Sequence, residues 1–445
     1  MSTSTIPAAP SGLSERLQDL LTEMRARTLM LVAPLSDDDA RTQHDALLSP
    51  IVWDLGHIAG FEELWLLRNL DGAVGFGEMP GVYNPFEHPR RERGALPLPS
   101  LGEALAVLAD VRDRVLARLA SFEPAPDDPL SRDGYVYRMV AQHEAQHVET
   151  ILQALQIKGG APYSPVERRP VSSPRKAMFA RGAMVRVPAC VVSIGTDDRT
   201  AAYDNERPRH DVAVASFDID VAPVTNGEYL EFMKAGGYAR DEWWSDAGRA
   251  WLAEARAAGI VAPKYWFLKG ADWWTRSMDR QLPVDLTHPV IHVCYYEAEA
   301  YASWAGKRLP TEFEWEAAAT WDPASGRARA YPWGEQPPSS SLANVDQLAF
   351  GTAPVGAYPR NVSPVGCYGM IGDVWEWTSS DFAPYPGYET FPYREYSQIF
   401  FGPEYKVLRG GSWATRPLVA RTTFRNWDYP IRRQIFSGFR CAIGA

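Results

Sequence analysis

The chain has 445 residues, of which 46% are hydrophobic and 22% charged, and its formal net charge is −10. This length predicts about two or three domains, and the acidic balance argues against a nucleic-acid-binding protein, which would usually carry a basic face. Residues 1–12 are small and polar, and no run of about 18 apolar residues occurs. We therefore expect no secretory signal and no membrane span. The four cysteines form no C-x-x-C pair, and we expect them to be reduced, in a monomeric cytoplasmic protein.

The N-terminal third predicts a helical bundle. Apolar residues recur at helical spacing in four segments, 14–32, 50–70, 101–120 and 134–158. Pro50 suits the first turn of the second helix, and Gly159-Gly160 ends the fourth. Four amphipathic helices with a longer second connection predict a four-helix bundle over residues 12–160.

The remainder of the chain differs in composition and in predicted secondary structure. Residues 161–182 are rich in Pro, Ser and Arg and predict a linker. Short β-like runs at 184–195 and 210–220 follow, separated by turn residues, and helices are predicted at 226–235, 297–305 and 311–320. We interpret residues 183–445 as one α+β domain with long, aromatic-rich loops.

Three of the eight histidines can form a metal site. His143 and His147 are four residues apart, so a helix places both imidazoles on one face. His57 lies on the second predicted helix and, if it faces inward, meets the fourth helix across the bundle. Facing helices of a bundle are established places for metal sites, although a lone buried histidine is more often an ordinary core residue.

The segment His143-Glu-Ala-Gln-His147 also matches the H-E-x-x-H pattern of zinc peptidases, in which Glu144 would be the general base. A linker follows where such enzymes carry a further ligand, which weakens this alternative. Glu144 and Glu149 are instead candidates for orienting a ligand imidazole, and for Glu149 we expect surface exposure.

Four motifs in the second half resemble the formylglycine-generating, or sulfatase-modifying, family, whose domain is a variant of the C-type-lectin fold. They are RLPTEFEWE at 308–316, YPWG at 331–334, GDVWEWT at 372–378 and LRGGSW at 408–413. The first half resembles the DinB-like four-helix metal-binding bundle. With the strings SPIVWDLGHI, HEAQHVET, FPYREYS and FRNWDYPIRRQIFSGFR, the chain resembles the iron-dependent ergothioneine sulfoxide synthases, also called hercynine oxygenases.

This resemblance implies an enzyme that uses Fe(II) and O2 to join the sulfur of γ-glutamylcysteine to the imidazole C2 of hercynine. His57, His143 and His147 match the iron ligands, and Tyr393 matches a proton donor. Three neutral imidazoles leave an iron ion open positions for reactants, unlike the two-histidine, one-carboxylate oxygenases.

The resemblance also implies a set of substrate-binding residues. Residues around the betaine are Gln146, Tyr396, Asn426 and Trp427. Aromatic faces suit its quaternary ammonium, which cannot donate a hydrogen bond. Arg90 and Arg93 match the pair that holds the donor carboxylates, and Asp428 matches a carboxylate that meets the donor's amino end. We therefore predict a site between the two domains.

Several alternatives stay open. Tyr429 follows Asn-Trp-Asp where the family motif has His, so cysteine, or a selenosugar as in selenoneine synthases, is a rival donor. The redox cysteines of formylglycine-generating enzymes are not apparent, which argues against formylglycine formation. A zinc hydrolase and a non-catalytic lectin-like binding module are the rivals from other classes.

Overall fold

The computed structural model describes residues 12–71, 81–169, 179–346 and 349–444. It divides into two compact units. Unit 1 runs to Ile151 and includes Arg199–Ala201, and unit 2 comprises the remaining described residues. The predicted domain limits stay predictions, and the segments 1–11 and 170–178, the latter within the predicted linker, lie outside the described residues.

Unit 1 is helical, as predicted. Its helices are α1 (Leu13–Val32), α2 (Asp37–Arg41), α3 (Ile51–Glu63), α4 (Leu101–Leu119) and α5 (Tyr135–Ile157), the last of which crosses the boundary between the units. Ser100 caps α4 with a capping box, in which its hydroxyl accepts from the Glu103 amide and the Glu103 carboxylate accepts from the Ser100 amide. The short helix α2 was not predicted, because five residues carry too little periodicity to recognise.

The second predicted helix, residues 50–70, is a regular α-helix only to Glu63. After α3 the backbone widens into a π-helix, Leu64–Arg68, and then tightens into a 3-10 turn, Asn69–Asp71. The Leu64 amide donates to the carbonyls of both Gly60 and Phe61 at this transition. Single-turn π segments of this kind are rare and often lie near functional sites.

A four-charge network lies in the core of unit 1, with one residue from each long helix. Arg25 of α1 and Arg112 of α4 each bind both Glu62 of α3 and Glu144 of α5. The N–O distances are 2.6–2.9 Å, and each side chain is 7% exposed or less. Two positive and two negative charges balance, so the network joins all four helices without a net buried charge.

Unit 2 is an α+β structure, as predicted. Its helices are α6 (Asn226–Lys234), α7 (Asp246–Ala257), α8 (Tyr295–Trp304) and α9 (Glu312–Thr320). Its strands are β1 (Met184–Val187), β2 (Cys190–Ile194), β3 (His210–Val214), β4 (Phe217–Asp220), β5 (Trp266–Lys269), β6 (Asp272–Ser277), β7 (Arg280–Pro283), β8 (Trp321–Asp322), β9 (Arg327–Ala328), β10 (Trp375–Phe382), β11 (Gly402–Arg409), β12 (Asn426–Asp428), β13 (Ser437–Gly438) and β14 (Ala442–Ile443). Helix α7 and the antiparallel sheet β5-β6-β7 lie in a region that we predicted to be irregular.

The largest sheet of the described part of unit 2 has the order β12-β11-β10-β13. Residues of the motifs RLPTEFEWE, GDVWEWT and LRGGSW build the core beneath it. Trp315 donates its indole N–H to Glu376 at 2.9 Å, and Arg409 binds Glu312 at 3.1 Å, all of them buried. Gly410 has φ +95°, and a Cβ there would lie 2.7 Å from the Met370 carbonyl, so the turn after β11 requires glycine.

No helix in the described ranges is both long and apolar enough to cross a membrane. The four cysteines form no disulfide; Cys294, Cys367 and Cys441 are buried and Cys190 is half-buried. The expectation that they are reduced core residues is thus confirmed for three of them.

Candidate metal centre

The three predicted ligands, His57, His143 and His147, meet inside unit 1. One ring nitrogen of each lies within 4.8 Å of those of the other two, and the Nε2 atoms of His57 and His143 are 3.2 Å apart. His57 comes from α3, and the other two from successive turns of one face of α5. The i, i+4 spacing predicted that His143 and His147 would lie together. The structure adds His57 to that pair.

His57 is oriented by a carbonyl and an indole. Its Nδ1 lies 2.9 Å from the Tyr83 carbonyl, and its ring stacks on Trp53 at 4.9 Å between centroids. Trp53 also donates its indole N–H to the Val82 carbonyl at 2.7 Å, which fixes the segment that supplies the Tyr83 carbonyl. Because a carbonyl only accepts, Nδ1 of His57 carries the proton and Nε2 presents a lone pair.

His147 is oriented by a carboxylate. Its Nδ1 lies 3.0 Å from Oδ1 of Asp54, a residue of α3 that is 1% exposed. The carboxylate accepts a hydrogen bond from the Nδ1–H group and leaves Nε2 as the free nitrogen. The His147 side chain is 20% exposed, so the centre is more open at this ligand than at His57 or His143.

His143 is held by stacking, since its ring lies parallel to that of Phe61 at 3.7 Å between centroids. Burial, reinforced by the neighbouring imidazole of His147, lowers the pKa of both His57 and His143 well below the ordinary value. Both rings are therefore neutral at pH 7, which is the protonation state that a metal ligand requires.

The donor set fits a divalent cation. Asp54 is a buried carboxylate whose only hydrogen bond among the described residues is to His147, and its second oxygen, Oδ2, has no partner. Three imidazoles converge beside this buried carboxylate, and Arg93 is a nearby cation that interacts with it electrostatically without a hydrogen bond to it. Buried charges without an ion-pair partner are costly. A cation held by the three nitrogens would balance that charge.

Two expectations about nearby glutamates are wrong. The Glu144 carboxylate accepts from Arg25, Arg112 and Thr28, so it orients no ligand imidazole and cannot act as the base of a zinc peptidase. Glu149 is buried rather than exposed. The reason is that every residue of α5 is buried or half-buried, whereas an amphipathic helix would keep one exposed face.

The predicted donor-binding arginines lie on one 3-10 turn, Arg90–Ala95, in different environments. Arg90 is exposed. Arg93 is buried; its guanidinium lies 3.6 Å from the centroid of the Trp53 ring and donates to the His88 carbonyl and the Ser49 hydroxyl. The alternative that this basic run is wholly solvated is therefore wrong for Arg93.

Three further predicted site residues are Gln146 in unit 1 and Tyr393 and Tyr396 in unit 2. Gln146 is half-buried on α5 and donates to the Gln142 carbonyl at 3.3 Å. In unit 2, Tyr396 stacks on Tyr203 at 4.0 Å, and its ring centroid is 6.3 Å from that of Tyr393. That all these residues form one site with the histidines stays a prediction.

Strand β12 carries the remaining three predicted residues. Trp427 meets Tyr396 edge-on at 5.5 Å and stacks on Phe382 at 4.2 Å. The Asn426 side-chain oxygen accepts from the Trp427 amide, and Asp428 accepts from Arg432 Nε at 3.0 Å. Tyr396 and Trp427 thus form a half-buried aromatic corner, while Asp428 already has a cationic neighbour.

Sequence analysis missed several residues that hold the ligands, namely Trp53, Asp54, Phe61 and Tyr83. A signal existed for Asp54, because it precedes His57 by three residues and so lies on the same face of α3. The stacking of Phe61 on His143 and the Tyr83 carbonyl bond depend on contacts between distant segments, which no local spacing reveals.

Comparisons with known proteins find a matching family for each half of the chain. The family model of the DinB superfamily matches residues 20–151, and that of the sulfatase-modifying factor enzyme 1-like domain matches residues 169–445. The chain is similar to the hercynine oxygenase of Mycobacterium tuberculosis, 46% identical over 433 residues that cover 96% of this chain and 98% of that protein. It is 47% identical to the hercynine oxygenase of Mycolicibacterium thermoresistibile, over 95% and 93% of the two chains.

A more distant similarity is confined to part of the chain. The formylglycine-generating enzyme of Mus musculus is 34% identical over 300 residues, 61% of this chain and 77% of that protein. The full-length similarity is therefore to proteins that combine both domains. The chain belongs to the hercynine oxygenase family, and it is an oxidoreductase that joins a DinB-type helical bundle to a sulfatase-modifying domain of C-type-lectin-like fold.

Proposed function

We propose that the chain is a non-haem iron(II) enzyme that uses O2 to join the sulfur of γ-glutamylcysteine to the imidazole C2 of hercynine, with formation of a sulfoxide. The observation that carries this proposal is the convergence of three imidazoles, two buried and one half-buried, in a chain that is 46–47% identical to proteins named hercynine oxygenase. Imidazoles suit several divalent metals, but zinc has no redox chemistry. Iron(II), when bound, would supply the activation of dioxygen that an oxygenase requires.

The residues of the chain have separate tasks in this proposal. His57, His143 and His147 hold the metal. Tyr393 donates a proton to the oxygen-derived species, a role that depends first on distance and then on pKa. Tyr396 and Trp427, together with the amides of Gln146 and Asn426, hold the betaine, and each cation–π contact contributes about 0.5–2 kcal/mol.

For the donor, Arg90 is the better candidate of the two arginines to bind a carboxylate. Arg90 is exposed, and Arg93 is buried with three protein oxygens around its guanidinium, including the Pro85 carbonyl at 3.4 Å. Arg93 would then bind the donor only through its remaining N–H groups. Asp428, with Arg432 beside it, would meet the amino end of the donor.

The assignment of the donor is tested by kinetics with Arg90→Ala. We expect a rise of about tenfold or more in KM for γ-glutamylcysteine, since a charge-assisted bidentate pair contributes about 1.5–3 kcal/mol, with little change in KM for hercynine. Arg91→Ala is the matched control, because Arg91 is a neighbouring exposed arginine paired with Glu92. Unchanged kinetics with Arg90→Ala and Arg93→Ala together would exclude γ-glutamylcysteine as the donor held by these residues.

The reaction itself is tested by anaerobic titration of the Fe(II) protein with hercynine and each candidate donor, followed by O2 and mass analysis. We expect a hercynine–γ-glutamylcysteine sulfoxide. Product with cysteine or a selenosugar alone would change the donor. Zinc content and hydrolysis without oxygen uptake would refute the proposal, although the engagement of Glu144 by two arginines already disfavours a zinc peptidase.

A further inference from the structure

Asp54 lies behind the metal centre rather than in it. It is on α3, one turn before His57, and its carboxylate crosses to α5, where Oδ1 lies 3.0 Å from Nδ1 of His147. It is thus the side chain of α3 that hydrogen-bonds to His147, a ligand of α5. The contact is inside the bundle, since Asp54 is 1% exposed.

Asp54 has different binding partners from the other buried carboxylates of unit 1 that are described above. Glu62, also on α3, and Glu144 each bind two arginines. Asp54 has one hydrogen bond, to an imidazole, and an oxygen without a partner in the described part of the chain. A buried carboxylate with one hydrogen bond is costly to desolvate, and Arg93, which interacts with Asp54 electrostatically but forms no ion pair with it, offsets that cost only in part.

We propose that Asp54 is a positioning residue for the metal centre, which fixes the tautomer and direction of His147 and supplies the negative charge that the three-imidazole ligand set lacks. By accepting a hydrogen bond from Nδ1–H, the carboxylate leaves the Nε2 lone pair for the metal and makes it a stronger donor. This inference rests on the proposed function insofar as the three histidines hold the ion. It adds a fourth residue whose role is exerted only through His147.

The test is an anaerobic titration of the metal-free, full-length protein with Co(II), followed by its visible absorption and repeated by calorimetry. Asp54→Asn keeps an acceptor for the Nδ1 proton but removes the charge, and Asp54→Ala removes both. Because partners behind ligating histidines typically change metal affinity by about 10- to 100-fold, we expect Co(II) affinity to fall about 10-fold in the first variant and about 100-fold in the second. Glu63→Gln, which removes a half-buried carboxylate from the same helix, is the control and leaves the affinity unchanged.

Thermal unfolding separates this role from a merely structural one. We expect the metal-free Asp54→Asn protein to melt at the same temperature as the unaltered protein or higher, and the rise in melting temperature caused by Co(II) to shrink. Equal Co(II) affinity in all Asp54 variants, or an equal fall in melting temperature with and without Co(II), would overturn the inference.

The same titration distinguishes failure of the inference from failure of the proposed function. If the unaltered protein binds Co(II), His57→Ala abolishes binding and Asp54→Asn does not weaken it, only the role of Asp54 is wrong. If the unaltered protein binds no Co(II), or His57→Ala binds it equally well, both are wrong.

Discussion

The four-charge network of unit 1 allows a quantitative prediction about stability. In Glu144→Gln, Arg25 and Arg112 keep Glu62 as their only carboxylate, so two buried cations share one anion. Removal of one partner from a buried ion pair costs about 3–5 kcal/mol, and we expect a loss of this size in the free energy of unfolding. Arg112→Met, which leaves one cation with two anions, should cost a similar amount.

The double variant discriminates between network and independent effects. Arg112→Met with Glu144→Gln restores charge balance, since Arg25 and Glu62 remain as a pair at 2.6 Å. We therefore expect it to lose about 1–3 kcal/mol less than the sum of the single losses, the coupling typical of residues in one network. The assay is urea unfolding followed by circular dichroism, which reports mainly on the helices.

The control for this experiment is an exposed ion pair of the same helices. Glu63 binds Arg114 at 2.9 Å, with side chains 31% and 47% exposed, so Glu63→Gln should cost less than about 1 kcal/mol. Our reasoning is refuted if Glu144→Gln costs no more than Glu63→Gln, or if the double variant shows the full sum of the single losses.

Two further predictions concern packing and pH. Gly56→Ala places a Cβ 2.2 Å from the Tyr83 ring, so Tyr83 must move. Because the Tyr83 carbonyl orients His57, we expect Co(II) titration to show weaker binding, and unchanged affinity would contradict this. Burial lowers the pKa of His292 to about 3, so the unfolded chain binds more protons than the folded one between pH 6.5 and 3. The stability contributed by neutral His292 is complete above pH 6.5, and about 3 kcal/mol is lost by pH 4. His292→Asn, which tolerates the local φ of +66°, should reduce the difference in urea midpoint between pH 7 and pH 4, and an unchanged difference would contradict the assignment.

The sequence by itself determined the helices of the bundle, the α+β character of the second half and the pairing of His143 with His147. These depend on the local periodicity of the chain, because a helix places residues i and i+4 on one face wherever it lies. The motifs of the second half likewise indicated a sulfatase-modifying domain, and in the structure they supply the buried residues Trp315 and Arg409.

Only the tertiary structure decided which groups meet across helices. The rotation and axial position of α3 against α5 place Asp54 on His147. The packing of α1 and α4 against α5 brings two arginines to Glu144, and Glu149 is buried. These relations follow from how complete side-chain surfaces pack together, and the spacing of residues along a single helix contains no information about them.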